Sequence, residues 1–189
     1  MILDGNKMAL VIVVIVLIVL VVWIISIYNG LVKARNKVKA NWAQIDVVLK
    51  RRSDLIPNLV ETVKGYASHE KDTLDRVIHA RNTYVSASLP EDKMKASGEL
   101  TQALNKLMML SEAYPDLKAN TNFIELQNEL TKTEDKIAFA RQFYNDSVYA
   151  YDNKREMFPS SLFASLFGFE SFAYFEVDDE DKQAPKVNF

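Results

Sequence analysis

Polar and apolar positions first separate into blocks along this chain and then alternate with a helical period. Met8 to Ile25 is an unbroken run of 18 apolar residues, and past Ser26 it goes on to Ile27 and Tyr28, giving 21 residues from Met8. As a helix the run is roughly 31 Å long at about 1.5 Å per residue, which is one bilayer crossing. A globular core does not gather its apolar residues in this way. Beyond Asn29-Gly30, where glycine permits a small bend, Val38, Trp42, Ile45 and Leu49 recur at helical spacing, so a first soluble helix extends the anchor. Lys50-Arg51-Arg52 suits a helix end, Ser53 an N-cap and Pro57 the first turn of a new helix, which places a turn near Arg52 to Asp54. The second helix then carries Leu55, Leu59, Val63 and Tyr66 and, past an interruption around Ala67-Ser68-His69, Leu74, Val77, Arg81 and Tyr84. Pro90 opens a third helix with Leu100, Leu104, Leu107 and Met108, running to about Tyr114 before Pro115-Asp116. A fourth starts in the polar stretch 119–122 and carries Phe123, Leu126, Leu130, Ile137, Tyr144, Val148 and Tyr151 until Pro159 stops it.

Short connections force neighbouring helices to run in opposite directions. The expected fold is therefore all-α: an N-terminal transmembrane helix continuing into an antiparallel, up-and-down four-helix bundle of coiled-coil character, with an aromatic C-terminal tail. The expected segments are 1–7 as a short extracytoplasmic end, 8–28 as the span, 29–157 as the bundle and 158–189 as the tail.

Composition narrows the chemistry. With 189 residues the chain has the size of one domain, and only five glycines and five prolines argue against a turn-rich β-sandwich. The absence of cysteine excludes a disulfide framework, a thiolate metal site and a cysteine nucleophile. A net charge of −2 hides a gradient, because residues 29–70 carry eight Lys/Arg against four Asp/Glu whereas 157–189 carry two against six. Neither part resembles a basic nucleic-acid-binding surface.

The flanks of the apolar run are asymmetric. Lys7 stands alone before it, while Lys33, Arg35, Lys37 and Lys39 crowd the other side, so the positive-inside rule keeps residues after about Asn29 in the cytoplasm and the short N-terminus outside. Trp23 and Tyr28 then fall near the inner interface. A cleaved signal peptide fits less well: the run exceeds an h-region of about 7 to 15 residues, and no small-x-small site follows in Trp23-Ile-Ile-Ser-Ile-Tyr28.

Three stretches echo one another: Val32-x-Ala34-Arg35-Asn36, Ile78-x-Ala80-Arg81-Asn82 and Ala138-x-Ala140-Arg141-Gln142. Such short matches fit an old duplication, inward arginines, or chance in Ala/Arg-rich helices. Glu134 and Arg141 lie one heptad apart on the stripe of Ile137, Tyr144 and Val148 and are expected to point inward. Buried charges need partners, so Arg81, Glu134, Arg141 and Asn145 form a candidate polar network in which Glu134 pairs with Arg81 or Arg141; the plainest role for such a network is fixing helix register.

Tests for catalytic motifs fail. Neither His69 nor His79 follows a Glu at the di-iron Glu-x-x-His spacing, and His69-Glu70 lacks the second histidine of a zinc protease because position 73 is Thr. No Walker loop, Gly-x-Ser-x-Gly elbow or Rossmann fingerprint is present, so no enzyme, cofactor or metal is expected. The tail offers a different kind of site, with Phe158, Phe163, Phe167, Phe169, Phe172 and Phe175 inside eighteen residues. These side chains are expected to pack on their own bundle, insert at the membrane interface or enter a groove of a neighbouring copy. The acidic Glu170, Glu176 and Asp178-Asp-Glu-Asp181 favour a protein groove over anionic lipid.

Several blocks resemble the LemA family of bacterial membrane proteins: Tyr28-Asn-x-Leu31-Val-x-x-Arg35-Asn-x-Val38, Trp42-Ala-Gln-Ile-Asp46, Leu49-Lys-Arg-Arg52, Asp54-Leu-Ile-Pro-Asn-Leu-Val-Glu-Thr-Val-Lys-Gly-Tyr-Ala67, Glu134-x-Lys-Ile137, Ala140-Arg141-Gln-x-Tyr144-Asn145, Phe158-Pro159 and Tyr174-Phe-Glu176. The resemblance covers essentially the whole chain. It implies one N-terminal anchor, a cytoplasmic helical bundle and no established catalytic activity, and some relatives in that family are associated with magnetosome membrane formation. Two functions are therefore expected to compete. One is a self-assembling scaffold, a homo-oligomer on the lipid bilayer that organises or shapes the bacterial inner membrane. The other is an adaptor or regulator of another membrane protein, related to envelope stress or proteolysis.

Overall fold

A computed structural model describes residues 5–176 of the chain, and among these every regular element is a helix. In chain order they are α1 (Gly5–Lys64), α2 (Lys71–Ser86), α3 (Pro90–Ser111), α4 (Pro115–Lys118), α5 (Thr121–Glu156) and α6 (Ser160–Leu166). The acidic stretch 178–181 and the start of the N-terminal segment fall outside the described residues. Two compact units emerge, Met1–Ala40 with Asp146–Phe172 and Asn41–Asn145 with Ala173–Phe189, so that α1 and α5 each contribute to both.

The turn expected at Arg52 to Asp54 is absent, and α1 is a single helix of 60 residues with Pro57 inside it. Its core stripe explains why. Leu31, Val38, Ile45, Arg52 and Leu59 recur every seven residues and all are fully buried, with Leu49, Ile56 and Val63 buried beside them. The seven-residue phase passes through Arg52 unbroken. Pro57 lacks the N–H that would bond the Ser53 carbonyl, but it sits on the exposed side, so burial of Ile56, Leu59 and Val63 on the other side offsets one missing backbone bond. The helix ends instead at Lys64, and the interruption expected around 67–69 is the real boundary: Ala67 N–H donates to the Val63 carbonyl at 2.8 Å, and buried Ala67 pins the turn.

Proline places the next boundaries. Pro90 occupies the start of α3 ahead of Glu91 and Asp92, and Pro115 opens the one-turn helix α4, an element the hydrophobic pattern did not show. Leu117 of that turn is fully buried, which is what the short helix contributes. The side chain of Asn120 accepts from the Phe123 N–H at 3.0 Å and caps α5 where the polar stretch predicts a start. Phe123, Leu130, Ile137, Tyr144 and Tyr151 then repeat in strict heptads and all are buried. In the second unit one apolar cluster draws on α1, α2, α3, α4 and α5, through residues such as Leu59, Val77, Leu100, Leu117 and Phe123.

Candidate functional site

Arg52 occupies a position that its neighbours in the repeat give to leucine and isoleucine, and its side chain has no exposed surface. Two helices supply its acceptors. Nη1 donates to Glu134 Oε1 at 2.8 Å on α5 and to Thr101 Oγ1 at 2.8 Å on α3, while Nη2 donates to Ser97 Oγ at 2.7 Å and to the Ser97 carbonyl at 3.0 Å. Ser97 is itself fully buried, whereas the Glu134 side chain keeps 39% of its surface exposed. The cation is thus dry and its carboxylate reaches water, an arrangement that lowers the desolvation cost of the pair.

The sequence-predicted network divides accordingly. Glu134 takes Arg52 as its partner, a residue that reads as a helix end in the sequence because Lys50-Arg51-Arg52 is polar. The signal that identifies it is the spacing from Ile45 to Arg52 to Leu59. Arg81 does not join Glu134; its guanidinium donates to the adjacent Asn82 at 3.2 Å. Arg141 Nη2 reaches Ser97 Oγ at 3.4 Å, so it shares an acceptor with Arg52. Asn145 faces the tail rather than the charges: its Oδ1 accepts from the Phe175 N–H at 2.8 Å and its Nδ2 donates to the Phe175 carbonyl at 3.0 Å.

The tail residues up to Glu176 lie against the chain's own helices. Phe169 and Phe175 are buried, and each is covered by an arginine from one of the echoing triplets, Arg35 at 4.9 Å from the Phe169 ring centre and Arg141 at 4.2 Å from that of Phe175. Burial against their own chain withdraws these two from any neighbouring groove. Within the first unit, Phe167 and Phe169 stand edge-on to Tyr28 at 5.1 and 5.8 Å, Phe163 to Trp23 at 6.3 Å and Phe172 to Tyr151 at 5.3 Å. Tyr151 also donates to the Glu170 carbonyl at 2.8 Å, and in the second unit Tyr144 donates to that of Ala173 at 2.9 Å. Phe158 is the opposite case, with 81% of its surface exposed.

A second polar cluster joins α1, α2 and α3. Asp46 accepts from Tyr84 at 3.2 Å and from Lys93 at 2.6 Å. Burial, reinforced by the Asp46 charge and hydrogen bond, pushes the Tyr84 phenol well above its usual range. Tyr114 is raised by its hydrogen bond to Glu70, and Tyr151 by burial. Hydrogen bonds from Lys132 and Arg51 hold the Glu129 carboxyl below its ordinary value.

At the other end of α1, every residue from Lys7 to Trp23 is exposed, and the helix is long and apolar enough to cross a membrane. These features define a class: an all-helical protein with one N-terminal apolar helix followed by an arginine-centred core. The chain belongs to the LemA family, which its residues 41–189 match. It is 25% identical over 175 residues to magnetosome protein MamQ 2 of Paramagnetospirillum magneticum, covering 79% of this chain and 64% of that protein. Magnetosome protein MamQ of Magnetospirillum gryphiswaldense is also 25% identical, over 174 residues, with 78% and 64% covered. Protein LemA of Metamycoplasma hominis is 23% identical over 158 residues, covering 82% of this chain and 71% of its own. The chain spans less than two thirds of the length of the MamQ relatives it matches.

Proposed function

We propose that the chain is a non-enzymatic scaffolding protein anchored in the bacterial inner membrane, which self-assembles and organises or shapes that membrane. One observation carries the reading: the exposed apolar stretch and the buried heptads from Leu31 to Leu59 belong to the same uninterrupted helix. The segments of α1, α2, α3 and α5 within the second unit are read as an antiparallel four-helix bundle on the cytoplasmic side, with the N-terminus outside. The match to a magnetosome protein agrees with work at a membrane-bounded structure. Association has an available surface on α5, where Phe139 and Phe143, one turn apart, are 64% and 62% exposed.

The test uses the absence of cysteine from the sequence. Phe139→Cys, crosslinked in cells through its single thiol, gives a self-adduct of two chains if the chain assembles with itself. A single stoichiometric foreign adduct gives the adaptor reading instead, and only monomers, in cells and at high concentration in detergent, defeat both. For orientation, a periplasmic reporter fused after Phe189 stays silent if the second unit is cytoplasmic.

A further inference from the structure

The turn from α5 into α6 presents large apolar side chains to solvent. Met157, Phe158, Leu162 and Leu166 are 63%, 81%, 62% and 74% exposed, in an element whose helix, Ser160–Leu166, carries no charge. A chain in water does not keep four such residues together on one short element. Its other side is fastened to α1 within the same compact unit: Phe163 meets Trp23, Phe167 meets Tyr28, and Ala164 and Phe169 are buried.

Those contacts fix a level. Trp23 lies inside the apolar run and Tyr28 closes it, so α6 runs abreast of the last turns of the anchor, with Phe163 level with Trp23 and Phe167 level with Tyr28. From Phe163 in α6 to its C-cap Phe167 the rise is about 6 Å, and five residues of α1 rise about 7.5 Å, so the two advance together. Leu162 is therefore about level with Trp23, and Leu166 is close to Tyr28. Whatever medium surrounds the end of the anchor also surrounds this face.

We propose that Met157, Phe158, Leu162 and Leu166 insert into the bilayer interface beside the anchor, as a second and shallower lipid contact that clamps the base of α5 to the membrane. The inference rests on Met8 to Tyr28 being a membrane span. Lipid is the occupant, in place of a protein groove, because the face is continuous with the lipid-exposed end of α1. Its recognition chemistry is apolar burial: the nearest cation in sequence, Arg155, is paired with Asp152 at 3.3 Å and Glu156 at 2.7 Å, so anionic headgroups are not required.

The experiment uses single cysteines, Val16→Cys, Leu162→Cys and Leu166→Cys, in the full chain, each carrying an environment-sensitive fluorophore. The labelled chains are reconstituted in phosphatidylcholine vesicles, with brominated acyl chains at shallow or deep positions and unbrominated vesicles as reference. The expected result is blue-shifted emission at 162 and 166, quenched at least twofold by bromine, with 162 the deeper of the two and 16 quenched best by the deep bromine. Loss of quenching at 16 overturns the span itself. Quenching at 16 with none at 162 and 166 leaves the span standing and overturns this inference. Labels at 162 and 166 that quench one another between chains but ignore bromine assign the face to a second copy, and also overturn it.

Discussion

Arg52 of α1 donates to Glu134 of α5 at 2.8 Å from a side chain with no exposed surface, across 82 residues of sequence. The two ends of this pair are unequal, since the carboxylate is in contact with water and the guanidinium is not. Removing the carboxylate therefore strands a buried cation, whereas removing the cation leaves an acid that water can solvate. Glu134→Ala is expected to cost about 2 kcal/mol or more, and Arg52→Met, which fills the same volume without charge, distinctly less. Urea unfolding of the detergent-solubilised chain, followed by circular dichroism, ranks the two; the reverse order removes the explanation.

Asn145 holds Phe175 by both main-chain groups. Asn145→Leu deletes both hydrogen bonds and is expected to loosen residues 173–176 by about 1 to 2 kcal/mol, with little change in the apolar core. Hydrogen exchange at the Phe175 amide reads this directly: its protection falls about five- to thirtyfold, while that of amides in the middle of α3 stays level.

Gly30 is close to α5, because a Cβ added there meets the end of the Lys154 side chain. That end is flexible and moves at little cost. Gly30→Ala is therefore expected to be neutral or to stabilise by up to about 1 kcal/mol through helix propensity. Gly30→Leu reaches further toward α5 and is expected to destabilise. Thermal unfolding of the two variants separates flexible from rigid contact.

Tyr84, Tyr114 and Tyr151 are raised above the usual phenol range. A group with a raised folded-state pKa contributes stability that is complete below its unfolded value and is lost as pH rises through the folded one. Stability should hold up to about pH 10 and fall above it. Tyr84→Phe flattens that alkaline limb, which a pH series of denaturation midpoints measures.

How much of this is readable in the sequence depends on whether a position is set by its own helix or by what lies across from it. The heptads of α5 from Phe123 to Tyr151 are unbroken and apolar, and periodicity finds the helix. On α1 the same spacing holds, but one core position is Arg52, and a polar triplet beside Ser53 and Pro57 looks like a boundary. Only the acceptors Ser97, Thr101 and Glu134, supplied by other helices, turn an arginine into a core residue. The tail repeats this: six phenylalanines signal that the segment leaves water, yet Phe169 and Phe175 are buried and Phe158 is not, because Arg35 and Arg141 happen to face the first two.

Among the described residues, Tyr144, Asn145 and Tyr151 of α5 hold the tail by its main chain, through the carbonyls of Glu170, Ala173 and Phe175 and the N–H of Phe175. The instructions for seating this segment are therefore written in Tyr144, Asn145 and Tyr151, not in the residues they hold. Positions 170 and 173 are free to drift, and a tail of different spelling can occupy the same place, provided an aromatic ring arrives beneath each arginine.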